Sequence, residues 1–156
     1  MEYQDAYKIA QSFSRKFLRS YPPILVGSLR RKEPIVGDID LLILGNFSEP
    51  ILSKLNASKD IKILSSGTRT IMLTYKKKVR VDLFFANKED LIPALLHHTG
   101  SKIFNIRMRK QAKDMGYKLN QYGLFNKNGV KIKVSSEKEI FKLLGMPYKK
   151  PENRDH

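Results

Sequence analysis

Three aspartates carry the clearest chemistry in this chain. Asp38 and Asp40 flank Ile39 in the run VGSLRRKEPIVGDIDLLIL (residues 26–44), and Asp82 sits in VRVDLFF. Along a strand, side chains alternate faces, so Asp38 and Asp40 point one way while Ile39 and Leu41 point to a core. Arg80, Asp82 and Phe84 likewise share a face opposite Val81, Leu83 and Phe85. Carboxylates this close repel each other unless a cation stands between them. If the two strands pair, the three aspartates converge on one spot. A carboxylate set with no histidine and no calcium loop suits a hard divalent ion such as Mg²⁺. The competing reading, surface aspartates at strand ends, is stronger for Asp82 alone than for the pair.

Upstream of the pair lie Gly27 and Ser28. A glycine lets backbone approach a phosphate closely, and Ser28 offers a hydroxyl and an N–H where a helical turn would start. Arg30 and Arg31 follow on that turn, and a guanidinium grips phosphate oxygens in a fork. A glycine-serine pair alone is common in loops. Joined to D-x-D at this spacing, it predicts metal ions on the carboxylates and a triphosphate on Gly27, Ser28 and Arg31.

The elements that must position these residues follow from periodicity. Tyr3, Ala6, Tyr7, Ala10, Phe13 and Phe17 recur at helical spacing, and the prolines of YPP (21–23) end that helix. ILVG and DIDLLIL read as buried strands. SEPILSKLN reads as a short helix capped by Ser48. DIKILSS, RTIMLTY and VRVDLFFA read as three strands joined by turns at GTR and KKK. Helical segments follow at about 88–97 and 100–115. YKLNQYGLFNKNGVKI reads as hairpin structure turning at Asn128-Gly129. A last helix opens on a capping-box pattern, Ser136 with Glu139, and stops at Gly145. The tail 147–156 reads as polar and loose.

The chain of 156 residues has a formal net charge of +15 and a pI near 10.0. Residues 1–96 hold 16 basic and 10 acidic side chains; residues 97–156 hold 14 and 5. The excess exceeds what solubility requires and points to an anionic partner, nucleic acid ahead of a membrane surface. With no cysteine, disulfides, thiolate zinc and cysteine nucleophiles are excluded. No apolar run is long enough for a membrane helix, and the N-terminus lacks a secretory pattern. His97 and His98, adjacent at a helix end, are expected to point apart, which does not suit zinc.

The constellation G-S-x-R-R…G-D-I-D…D resembles the nucleotidyltransferase superfamily related to DNA polymerase beta. HHTGSKIFNIRMR (97–109), YKLNQYGLF and SEKEIFKLLGMPYKKPENR are similar to family X DNA polymerase segments, so the resemblance spans roughly residues 24–154. It implies an α+β fold: a palm lobe with a mixed β-sheet (1–96), then a small α+β nucleotide- and DNA-binding lobe (97–156). It implies metal-dependent DNA synthesis on a primer-template or gapped duplex from a dNTP. Two Mg²⁺ ions would serve, with Mn²⁺ able to substitute. By position, Asp38 and Asp40 would ligate both metals and Asp82 the one that activates the primer hydroxyl. Gly27, Ser28, Arg31 and Gly37 would hold the triphosphate. His97, Thr99, Gly100 and Asn105 would meet the sugar and base, and Arg80, Lys102, Arg107 and Arg109 the DNA. The family implies a monomer acting inside the cell; for a viral chain, that means the host cytoplasm or the virion.

Larger members carry a lyase domain and a helix-hairpin-helix domain before the palm. Only about 22 residues precede the first strand of the palm here, so both are expected to be absent. His97 and His98 take the place of the family's aromatic pair, and Lys102 stands where an acidic residue is common. Two alternatives stay open. A small nucleotidyltransferase that modifies antibiotics or proteins shares G-S and D-x-D but needs neither the basic second half nor the T-G-S…F-N…M-R segment. A basic DNA-binding module without catalysis would not need three aspartates.

Overall fold

Ala6, Ala10, Phe13 and Phe17 form one buried stripe of α1 (Tyr3–Phe17), as the periodicity predicts. The computed structural model describes residues 1–154. Phe13 packs edge-on against Tyr75, with ring centroids 5.3 Å apart. Truncating so buried an aromatic costs about 3–5 kcal/mol.

α1 lies across a five-stranded mixed sheet of β1 (Ile24–Val26), β2 (Ile39–Leu44), β3 (Ile61–Ser66), β4 (Thr70–Tyr75) and β5 (Val79–Ala86). The spatial order is β1-β2-β5-β4-β3, and only β2 and β5 run parallel. Alternation sends Ile39, Leu41, Ile43, Val81, Leu83 and Phe85 to the face under α1 and α3 (Ser48–Asn56). The opposite face of the same strands carries Leu42, Phe84 and Ala86, packed with Ala94, Leu91 and Leu95 of α4 (Leu91–Thr99). Helices on both faces explain why Leu41, Leu42 and Ile43 are all buried. α4 packs on the later positions of that second face. The earlier positions, toward the strand starts, carry Asp40 and Asp82.

A second core gathers Leu96 with Phe104 and Met108 of α5 (Lys102–Asp114), and with Ile140 and Phe141 of α6 (Glu137–Leu143). A three-stranded antiparallel meander joins it: β6 (Lys118–Asn120), β7 (Gly123–Phe125) and β8 (Lys131–Ile132). α4 serves both cores, Ala94 the sheet and Leu96 the second lobe.

Several local expectations need correction. Ser48 is the first helical residue of α3, and Phe47 holds the cap position with no side-chain bond. Gly27 leaves the first strand and opens the turn α2 (Gly27–Arg30). The hairpin read at 117–132 has two turns. Asn128-Gly129 makes the one between β7 and β8, closed by Gly129 N–H on the Asn126 carbonyl at 2.9 Å. The other, at Gln121-Tyr122, is held by the Asn120 side chain accepting from Tyr122 N–H at 2.8 Å. The capping box is half made: Ser136 Oγ accepts from Glu139 N–H at 3.3 Å, but the Glu139 carboxylate turns to Ser135.

The tail differs most. Arg154 is fully buried, beside Phe104, Phe141 and Tyr148. Its guanidinium donates to Glu137 at 2.9 Å, and its carbonyl accepts from Ser101 N–H at 3.0 Å. A charge with this many partners cannot lie loose in solvent. Residues 155–156 of the expected loose tail lie outside the described residues.

Candidate active site

Parallel pairing of β2 and β5 puts Asp40 directly opposite Asp82. β1, on the other side of β2, pairs Val26 with Asp40, so the chain enters α2 beside that carboxylate. Gly27 is needed there twice over. Its φ is +60°, and a Cβ would stand 2.2 Å from Asp40 Oδ2. Asp38 lies just before β2 and is exposed, not on a buried strand as its run suggested.

Burial pushes the Asp40 carboxyl up to about 7, and the neighbouring charges of Asp82 and Asp38 add to it against Arg31 and Arg80. Burial also raises Asp82, opposed by a hydrogen bond from Arg80 Nε at 3.0 Å. Three acids, one just before β2, one early in it and one in the first half of β5, fit a hard dication, which would relieve their repulsion. They do not yet close on one point. Among the described residues no three histidine, aspartate or glutamate side chains form a ready metal cluster. Like charges spread apart, and Arg80 takes one oxygen of Asp82.

Ser28 is half-buried on α2. Arg31, expected as a phosphate fork, donates to the Thr99 carbonyl at 2.5 Å and lies 3.5 Å from Glu33. Gly37 is exposed, and a Cβ there would meet only open space. Gly100 has φ +72°, and its Cβ would come 2.9 Å from Arg31 Nη1. The two glycine segments therefore meet through Arg31. The Thr99 hydroxyl donates to the Leu95 carbonyl at 2.6 Å and accepts from Arg30 Nη1 at 2.7 Å.

The histidines do not point apart. Their rings meet edge to face at 4.9 Å, because His98 folds back to stack on Phe84 at 4.0 Å. Burial, then His97, lowers the His98 imidazole to about 4; burial, then Arg109, also lowers His97. His97, Asn105 and Arg109 line a small cleft with Leu96, Met108 and Asn120. The Asn105 amide donates to the His97 carbonyl at 2.7 Å. Lys102, Arg107 and Arg109 are exposed along α5.

Sequence reasoning missed the ion cluster behind this site. Glu137 accepts two bonds from Arg30, at 2.9 and 2.7 Å, and two from Arg154, at 2.9 and 3.3 Å. Burial alone would raise Glu137, but the two guanidinium groups hold it below the usual carboxylate range. Arg30 thereby ties α2 to α6 and Thr99. The only sequence signal was Arg30 itself, written beside Arg31.

The repair DNA polymerase X of African swine fever virus (isolate Tick/South Africa/Pretoriuskop Pr4/1996) is 38% identical over 139 residues, which cover 84% of this chain and 80% of the relative. This chain belongs to the family X DNA polymerases. A further family X relative, the DNA polymerase/3'-5' exonuclease PolX of Bacillus subtilis (strain 168), is 32% identical over 83% of this chain and 23% of its own length. The family model described as DNA polymerase beta thumb matches residues 94–155. Among solved structures, Leishmania infantum polymerase beta in a ternary P/T complex superimposes with a TM-score of 0.87 at 25% identity, over 100% of this chain and 77% of that one. The polymerase beta likeness agrees with the expected α+β architecture. No helix among the described residues is long and apolar enough to cross a membrane.

Proposed function

We propose that this DNA repair polymerase is a template-directed enzyme that fills short gaps. It would transfer a nucleotide from a dNTP to a primer 3′-OH at Asp38, Asp40 and Asp82. The observation that carries the reading is Asp40 opposite Asp82 on parallel strands, with Gly27 pressed against Asp40. In the reaction, the primer 3′-oxygen bonds to the α-phosphorus, the bond to the β-phosphate breaks, pyrophosphate leaves, and the hydroxyl proton is released.

Asp38, Asp40 and Asp82 are the residues to hold divalent cations, Mg²⁺ or Mn²⁺. Such ions, when bound, neutralise charge on the attacking and leaving oxygens. The chain's own groups orient the reactants. Ser28 and Gly37 offer polar contacts on α2 and just before Asp38, and Gly27 leaves room beside the carboxylate. Arg31 would exchange its bond to the Thr99 carbonyl for a phosphate oxygen. His97, Thr99, Gly100 and Asn105 frame the sugar and base; Lys102, Arg107 and Arg109 face DNA from α5. Arg80, exposed beside Asp82, would release that carboxylate and turn to the primer strand. Two cores joined by α4 support a division into lobes at 1–96 and 97–156. The family reading gives a monomer acting inside the cell; for a viral chain, in the host cytoplasm or the virion.

Primer extension on gapped and ungapped duplexes, with Mg²⁺ or Mn²⁺ and each dNTP singly, tests the proposal. The expected result is insertion of the complementary nucleotide, faster on the gap. Equal insertion of all four without regard to template would refute template direction.

A further inference from the structure

The turn from β4 to β5 is Lys76-Lys77-Lys78, and two of these lysines adopt a conformation that lysine disfavours. Lys76 has φ +54° and Lys77 φ +58°, both left-handed. Tight hairpins with two left-handed residues select Asn-Gly or Asp-Gly, because a Cβ is strained there. The chain uses Asn128-Gly129 in another of its turns. At 76–78 it keeps three exposed cations instead.

Their place is specific. β5 begins at Val79, directly after the turn, and Asp82 is its fourth residue. At about 3.3 Å per residue, Lys78 lies roughly 13 Å from Asp82 along the strand. Alternation puts Arg80 on the face of Asp82, and Lys78 lies in the turn one residue before the strand begins. Register extends that face sideways: Arg80 opposes Thr74, and Thr74 opposes exposed Lys62 on β3. Lys62 and the three turn lysines pair with no carboxylate among the described residues. The nearby acid is Asp60. Its carbonyl accepts from Lys76 N–H at 2.7 Å, while its carboxylate is engaged by Lys16 at 3.2 Å.

We propose that Lys76, Lys77 and Lys78, with Lys62, form a clamp on the phosphate backbone of the primer-bearing duplex, about four base steps from the reacting end at ~3.4 Å per step. The inference rests on the polymerase reading for where the primer ends. A ramp of cations that no carboxylate engages, running from a catalytic carboxylate, complements a polyanion leaving that point; the Lys76 ammonium, 5.2 Å from the Tyr75 ring, would swing from that ring to a phosphate. Lysine suits this task, since a sequence-independent contact needs charge rather than a fixed fork.

The test is DNA affinity against salt for the full chain on a primer-template duplex, read without turnover. In Lys76→Asn/Lys77→Gly the turn keeps its shape and loses two charges. The line of log K against log salt should flatten by about 1.8, two contacts at ~0.9 each. The melting temperature should hold or rise. Lys77→Gly alone should flatten the line by about half as much. A control, Lys8→Gln/Arg15→Gln on the exposed side of α1, removes the same net charge and should leave the slope unchanged. Equal slopes for the double variant and wild type would overturn the clamp. So would a control that flattens the line as much, since net charge alone would then explain both. Failure of the wild type to extend a primer would instead count against the polymerase reading, and the slopes would still decide the clamp.

Discussion

A Cβ on Gly27 would stand 2.2 Å from Oδ2 of Asp40. The backbone that opens α2 and the Asp40 carboxylate occupy adjoining space, with no room for another atom. Gly27→Ala would have to displace Asp40 and hold alanine at φ +60°. The backbone strain alone costs about 1–2 kcal/mol. Extension should fall by roughly 10²-fold or more, since misplacement by about 1 Å has that effect. Single-turnover primer extension beside a thermal melt separates the two losses.

Asp40 and Asp82 repel each other across adjacent strands. Without divalent metal, Asp40→Asn removes a carboxyl that is about half ionised at pH 7 and should raise the melting temperature there, and by more at higher pH as that carboxyl ionises fully. Adding Mg²⁺ should raise the melting temperature of the wild type and do little for the variant. Extension by the variant should be lost. Calorimetric melts with chelator or Mg²⁺ check the stability part.

Glu137 holds together two arginines, one of them fully buried. Glu137→Gln leaves Arg154 buried beside Arg30 without a counter-charge. Removing one partner of a buried pair costs about 3–5 kcal/mol. Arg30→Gln should cost less, because Arg154 still neutralises the carboxylate. Urea unfolding of the three proteins gives the order.

His98 is held neutral between Phe84 and His97, and its pKa is lowered from 6.5 to about 4. Between those values the unfolded chain binds the extra proton and the folded one does not. Stability is therefore full above pH ~6.5 and declines as pH falls toward 4. His98→Phe keeps the stack and should remove that part of the decline. The difference between the two proteins' melting curves from pH 7 to 4.5 measures it, since other groups titrate alike in both.

His97 lines the cleft with Asn105 and Arg109, whereas His98 is committed to Phe84. His97→Ala should weaken discrimination against a ribonucleotide more than His98→Ala does. Incorporation of dCTP and CTP opposite template G reads this directly. Equal preference in all three proteins would place the sugar gate elsewhere.

Alternation and turn chemistry made the sheet legible. DIDLLIL and VRVDLFF announced their faces, and pairing of the two strands was the one assumption that brought Asp40 to Asp82. The cluster of Arg30, Glu137 and Arg154 was not legible, because its members are 107 and 17 residues apart and have no shared spacing. The tail misled for a physical reason: a run of Lys, Pro, Glu and Arg has the composition of a solvated end. Only the tertiary pocket of Phe104, Phe141 and Glu137 makes burying an arginine favourable. The histidine pair misled similarly, because helix geometry splays neighbouring residues but cannot foresee that Phe84 draws one ring back.

The central claim, that Asp40 and Asp82 perform templated nucleotide transfer, is tested most directly by one measurement. It is the single-turnover rate of filling a one-nucleotide gap with Mg²⁺, for wild type and Asp82→Asn, at matched DNA occupancy. The expected result is complementary insertion by the wild type, with a rate lower by roughly 10²-fold or more in the variant. A variant that fills the gap at the wild-type rate would contradict the account.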